Sequence, residues 1–67
     1  MKIGELAQVA QTTVETVRYY EKEGLLPETV RTAGNFRVYG PAHLERLRFI
    51  RNCRALDMSH EEIHTLL

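Results

Sequence analysis

Residues 12–26 read TTVETVRYYEKEGLL, and this stretch sets the fold. Thr12, with Glu15 three residues on, has the pattern of a capping box, in which each side chain takes up a free backbone N–H of the first helical turn. Gly24 is suited to end that helix, because glycine readily adopts the left-handed backbone that follows a helix terminus. Between these stops the two faces separate. Val14 and Val17 lie one turn apart and point toward a core, while Thr12, Thr16 and Tyr19 fall opposite, with Tyr20 at the edge. An outer face of hydroxyls and aromatic rings is suited to touching a partner.

Upstream, Ile3, Leu6, Ala7 and Ala10 repeat at the spacing of one helical face, which predicts a short helix over residues 4–10. Gln11 then leads directly into the second helix, residues 12–23. Two short helices joined so tightly make a helix-turn-helix, whose first member braces and whose second enters a DNA major groove. The pair alone is weak evidence for DNA, since helical bundles contain the same arrangement.

Downstream, Leu25 and Leu26 are candidate core residues and Pro27 blocks helical continuation. Over residues 28–39, ETVRTAGNFRVY, the period changes to two: Thr29 to Arg31 and Phe36 to Tyr39 read as strands around a Thr32-Ala33-Gly34-Asn35 turn. Phe36 and Val38 would share one face, and Arg37 and Tyr39 the other. A hairpin with arginine on each strand, following a helix-turn-helix, reads as the wing of a winged helix; a plain surface loop is the bland alternative. Pro41 fits the first turn of a third helix over residues 41–56, with Leu47, Phe49, Ile50, Cys53 and Leu56 as a broad apolar arc. Ser59 and Glu62 form a second capping box, with Met58 and Ile63 stapling the entry, so a fourth helix covers residues 59–67. It runs to Leu66 and Leu67 with no stop signal and reads as cut short. The expected class is mainly α, a winged helix-turn-helix with a two-stranded β wing and a second helix pair, in one domain spanning residues 1–67.

Composition narrows the function. The chain has 67 residues, 43% hydrophobic and 27% charged, with nine Lys/Arg balancing nine Asp/Glu. That is ordinary for a folded domain near the lower size limit of a self-sufficient core. No run approaches the roughly 20 apolar residues of a membrane span, and MKIGELAQ is not a signal peptide. One cysteine makes no internal disulfide, and a reducing, cytoplasmic setting is expected. The charge is uneven. Residues 1–30 carry three Lys/Arg against five Glu, residues 31–54 six Arg against Glu45, and residues 55–67 three acids and no base, giving −2, +5 and −3. Arginine forks onto phosphate or guanine better than lysine does, although a solvated helix face would also carry such a run.

His60-Glu61-Glu62-Ile63-His64 matches the H-E-x-x-H zinc-protease signature, with two histidines at i and i+4 and Glu61 as the base. No third ligand is evident, Ser59 and Glu62 already explain the segment as a helix start, and the chain is too small for a substrate cleft. No enzyme is expected. His43, alone near the start of the third helix, reads as a surface residue. Cys53 lies on the apolar arc, where a free thiol behaves as a small hydrophobe.

The succession IGELAQVAQTTVETVRYYEKEGLLPE, R-x-x-x-N-F-R-V-Y and RLRFIRNCRALDMS closely resembles the N-terminal DNA-binding domain of MerR-family transcription regulators, over all 67 residues. Within that family it is most similar to the branch that senses metals such as cadmium and lead. The resemblance implies a homodimer on the spacer between two promoter elements of double-stranded DNA. It represses without effector; with effector it twists the DNA so that RNA polymerase can use an overlong spacer, a form of indirect readout. Carried onto matching positions, it implies that Thr13, Thr16, Arg18, Tyr19 and Tyr20 meet the major groove and its phosphates, and that Arg31, Asn35, Arg37 and Tyr39 anchor the wing. Arg18 is the candidate for a base edge. Helical spacing also puts it near the valine side, where it would brace the wing instead.

No metal or other cofactor is expected in these residues. The family's effector cysteines sit on a long dimerisation helix and a loop beyond it, and both are expected only in a C-terminal part absent here. By itself the chain would be monomeric or weakly self-associating through the apolar face of its last helix. Two other readings stay open: a small architectural or protein-binding module of the same fold without effector sensing, and a minimal zinc hydrolase.

Overall fold

The computed structural model describes residues 1–34 and 36–67. In chain order the elements are α1 (Ile3–Val9), α2 (Val14–Lys22), β1 (Val30–Arg31), β2 (Arg37–Val38), α3 (Pro41–Ala55) and α4 (His60–Leu66). This is the mainly helical winged helix-turn-helix that the sequence predicts; α1 begins and ends one residue earlier than expected, α2 is three residues shorter, and the other elements are a residue or two shorter. One side chain or more from every helix meets in a single core: Leu6 and Ala7 of α1, Val17 of α2, Leu47, Ile50 and Cys53 of α3, and Ile63 of α4, closed by Leu25, Leu26 and Tyr39.

Three helices end in the same way. In each, the residue after the cap takes a left-handed backbone: Gln11 (φ 57°), Gly24 (φ 74°) and Asp57 (φ 61°). The amide beyond it reaches back five residues, Thr12 to Ala7, Leu25 to Tyr20 and Met58 to Cys53, which satisfies carbonyls that the helix leaves open. Only Gly24 follows the glycine preference. Gln11 and Asp57 hold a backbone that side chains disfavour, and an arginine of α3 braces each turn: Arg51 Nη1 donates to Gln11 Oε1 at 2.8 Å and Arg54 Nη1 to the Met58 carbonyl at 2.6 Å.

That closure corrects the start of α2. The Thr12 N–H is committed to Ala7, so Thr12 belongs to the turn. Thr13, with extended backbone, is the cap instead, and its Oγ1 accepts the Thr16 N–H at 3.1 Å. At α4 the expected capping box is present, with the Ser59 N–H donating to Glu62 Oε1 at 2.9 Å and the Glu62 N–H to Ser59 Oγ at 3.1 Å.

The wing is a short antiparallel ladder that pairs Val30 with Val38 and Arg31 with Arg37. Met1 extends it, because its amino group donates to the Tyr39 carbonyl and its carbonyl accepts the Tyr39 N–H. Beside the wing, His43 corrects the surface reading. It is buried; its Nδ1 accepts the Gly40 N–H at 3.0 Å, so Nε2 carries the proton and faces the Pro27 carbonyl at 3.1 Å. Histidine here does the reaching back at the third position of a helix that glutamate usually does. The apolar arc of α3 is also narrower than expected: Leu47, Ile50 and Cys53 are buried, whereas Phe49 and Leu56 fall where no element packs and are exposed.

Tyr39 and Ser59 yield two stability tests. The Tyr39 hydroxyl donates to Glu21 Oε1 at 2.5 Å, a bond to a charged acceptor, so Tyr39→Phe should lose about 1.5–3 kcal/mol in denaturant unfolding. Burial first, and Glu21 next, raise the Tyr39 phenol above its ordinary value of 10.0. Its folded value therefore exceeds its unfolded one, so its contribution is complete below about pH 10 and is lost as pH climbs through the folded value. Tyr39→Phe should flatten the alkaline unfolding curve. Conversely, the Ser59 backbone N–H first, then its hydroxyl, holds the Glu62 carboxyl below the usual range. That contribution is present above the ordinary glutamate value and fades as pH falls through the folded one. Ser59→Ala should remove a cap of about 1 kcal/mol and weaken the acid fraying of α4, read by circular dichroism.

Candidate nucleic-acid interface

The surface of α2 is set by its one fully buried side chain, Val17, with Val14 packed beside it. Fixing that side turns Thr13, Thr16 and Tyr19 outward. Thr13 and Thr16 are joined through their hydroxyls at 2.9 Å. Tyr19 is 46% exposed. Tyr20 is half-buried and packs on the core, with its ring centroid 6.0 Å from that of Tyr19. It supports the outer face more than it forms it.

Arg18 is exposed and lines a cleft together with Lys2 ahead of α1 and Arg31, Phe36 and Arg37 of the wing. The helical spacing that put Arg18 near the valine side is therefore the better guide: it stands beside the wing, away from the Thr13–Tyr19 face. Four cationic side chains converge on one open groove. Like charges brought together raise the potential there and favour an anion, and phosphate is the anion that arginine forks onto.

The wing residues divide. Arg37 and Tyr39 do share a face, as the two-residue period predicts, but that face looks at α2. Arg37 Nη1 pairs with Glu21 Oε2 at 2.9 Å while the Tyr39 hydroxyl takes the other oxygen. Tyr39, expected to meet DNA, is 2% exposed and belongs to the core. Sequence reasoning missed Glu21, the carboxylate that holds both; its only signal was an acid one turn past Arg18 on a helix otherwise turned to an anion. Arg31 is exposed on the outer strand. Asn35, expected at the wing tip, lies outside the described residues.

Five of the six arginines of residues 31–54 are thereby resolved into two groups, with Arg48 exposed on α3 outside both. Arg31 and Arg37 serve the wing. On α3, Arg46 Nη1 donates to the Leu25 carbonyl at 3.0 Å, and Arg51 and Arg54 brace the turns already described. These three stitch the fold, which neither a phosphate stripe nor an idle solvated face would do.

The histidine pair of α4 sits apart from any such chemistry. His60 packs against both tyrosines of α2, with ring centroids 5.4 Å from Tyr19 and 5.5 Å from Tyr20. Among the described residues no three His, Cys, Asp or Glu side chains are grouped to hold a metal ion. Cys53 is a buried free thiol. Among the described residues no helix is long and apolar enough to cross a membrane.

Comparison with known proteins gives this surface its context. The chain is 60% identical over 67 residues to the HTH-type transcriptional regulator ZntR homolog of Haemophilus influenzae, covering all of this chain and 50% of that protein. It is 50% identical over 66 residues to ZntR of Escherichia coli K12, covering 98% of this chain and 47% of that protein. The fold is similar to that of the transcription regulator PbrR691 from Ralstonia metallidurans CH34 in complex with lead(II), with TM-score 0.94 and 59% identity over 98% of this chain and 52% of the other. It is also similar to HiNmlR, a MerR family regulator lacking the sensor domain and bound to promoter DNA, with TM-score 0.89 and 26% identity over 98% of this chain and 50% of the other. The chain thus spans about half the length of the curated relatives it matches. The model of the MerR HTH family of regulatory proteins matches residues 1–67, first to last, and the chain belongs to that family.

Proposed function

We propose that this chain is the DNA-binding part of a metal-responsive transcriptional regulator, and that it holds a promoter spacer through α2 and the wing. The observation that carries the reading is the cationic cleft of Lys2, Arg18, Arg31 and Arg37 beside the outward face of Thr13, Thr16 and Tyr19. A duplex laid across α2 offers base edges to that face and a phosphate strand to the cleft, which is the division of labour that winged helix-turn-helix geometry allows. The similarity to a family member bound to promoter DNA supports DNA as the partner.

In this reading Thr13, Thr16 and Tyr19 face the groove, with Tyr20 behind them. Arg18 and Arg31 clamp the backbone, and Arg37 contributes after Glu21 has taken part of its charge. Two copies would engage a pseudo-palindromic spacer in the cytoplasm, and RNA polymerase would respond to the twist they impose. The similarity to a lead(II)-bound relative supports metal as the effector. The described residues supply no ligand group for it, so sensing is assigned outside them.

The protein-binding alternative draws on one observation. Phe49, Leu66 and Leu67 line a groove with Pro27, Glu45 and Arg46, and the exposure of these apolar side chains fits association with another polypeptide.

A salt titration separates the two. Wild type should bind a pseudo-palindromic spacer more tightly than a scrambled duplex. Arg18→Ala should weaken both duplexes alike and lower the salt slope by about one counterion. Arg37→Ala should weaken both by more than Arg18→Ala, because it also strips Glu21 of its cation beside the phosphates, and adding Glu21→Gln should recover part of the loss. Loss of spacer preference in Arg18→Ala would return that residue to a base-reading role. Absence of binding to either duplex at low salt would favour the protein-binding module.

A further inference from the structure

His60 of α4 reaches the outward face of α2. Its half-buried ring packs on Tyr19 and Tyr20, tilted to the first and edge-on to the second, and its Nδ1 stands 3.5 Å from the Tyr19 hydroxyl. Two elements remote in sequence thereby meet at the tyrosine that the proposed interface turns toward DNA. The groups around the imidazole are Tyr19 and Tyr20 from α2, Glu23 at the end of that helix, and Glu61 and His64 from α4, while Glu62 of α4 is engaged in capping Ser59. The acids are exposed, and no ion pair ties any of them to His60 among the described residues.

We infer that His60 is a positioning residue for DNA binding, one that sets which way the Tyr19 hydroxyl proton points. The inference rests on the reading of α2 as the DNA-facing helix. With Nδ1 unprotonated, the imidazole is an acceptor and draws the Tyr19 O–H toward itself, leaving a phosphate to meet the hydroxyl oxygen. With the imidazole protonated, Nδ1–H donates to that oxygen, and the Tyr19 O–H turns outward to donate to a phosphate. The proton transferred comes from solvent, and no covalent bond changes. DNA affinity should therefore carry a proton-linked component that passes through one residue.

The experiment has a DNA-free arm and a DNA arm. In the free protein, the Tyr19 ring signals in NMR should shift with the protonation of His60, and His60→Leu, which keeps apolar bulk against both rings, should abolish that shift. In the DNA arm, dissociation constants on the spacer duplex are compared at about pH 8 and about pH 5.5, in a His64→Asn background that removes the neighbouring imidazole, with thermal melts confirming the fold. The unaltered His60 should gain about tenfold to a hundredfold in affinity at the lower pH, the effect of one added hydrogen bond to a charged group. His60→Leu and Tyr19→Phe should each reduce that gain to less than about twofold, and His60→Lys should bind at both pH values as protonated His60 does. An equal gain in His60→Leu would assign the proton elsewhere and overturn the inference while leaving DNA binding intact. A Tyr19 shift that persists in His60→Leu would overturn the coupling directly. Failure of the wild type to bind at either pH would remove the DNA reading and this inference with it.

Discussion

The Glu21 carboxylate joins α2 to the wing, and the relative placing of the two follows from that junction. One oxygen takes the Tyr39 hydroxyl and the other the Arg37 guanidinium. Tyr39 also pairs with Met1 through two backbone bonds and packs edge-on against His43, 5.2 Å between centroids. Through this chain of contacts the start of the protein, the second helix, the wing and the entry to the third helix are fixed to one another. A two-stranded hairpin is marginal by itself in water, and the wing's exposed Val30 and Val38 give it little burial of its own. Its orientation is therefore set by this polar clamp together with the buried Tyr39 that follows its second strand.

The helices are fixed by a different means, the repeated closure at Gln11, Gly24 and Asp57. Each reverses the chain within two or three residues, and at the two non-glycine positions an arginine of α3 supplies a hydrogen bond that holds the turn. The third helix works as a splint. Its apolar side makes the core through Leu47, Ile50 and Cys53, and its guanidinium groups reach around to the ends of its neighbours.

Much of this was legible from residue order. The four helices, the wing, the glycine stop and the second capping box follow from local patterns whose physics is complete within a few residues, and the structure keeps them. What misled was always a question of what lay across a gap. Thr12 had the spacing of a cap, but a long-range closure of the preceding helix took its amide first. Tyr39 and Arg37 were assigned to one face correctly, yet the strand period says nothing of whether that face meets solvent or another element. His43 lacked any sequence partner because its partners are backbone groups of Gly40 and Pro27. The arginine run looked uniform in composition, and only tertiary structure separates those that bond carbonyls from those that line the cleft. His60 was singled out by a zinc-site pattern that had no bearing on its neighbours.

Thr13 and Thr16 hold each other through their hydroxyls before any partner arrives. A side chain that is already confined to one rotamer loses little conformational freedom when a ligand contacts it, so the entropy of ordering these two was lost when the helix formed. On this surface the threonines are ordered at the outset, and Arg37 is held by Glu21. Unlike partners would then be told apart by how well they match a shape that does not adjust.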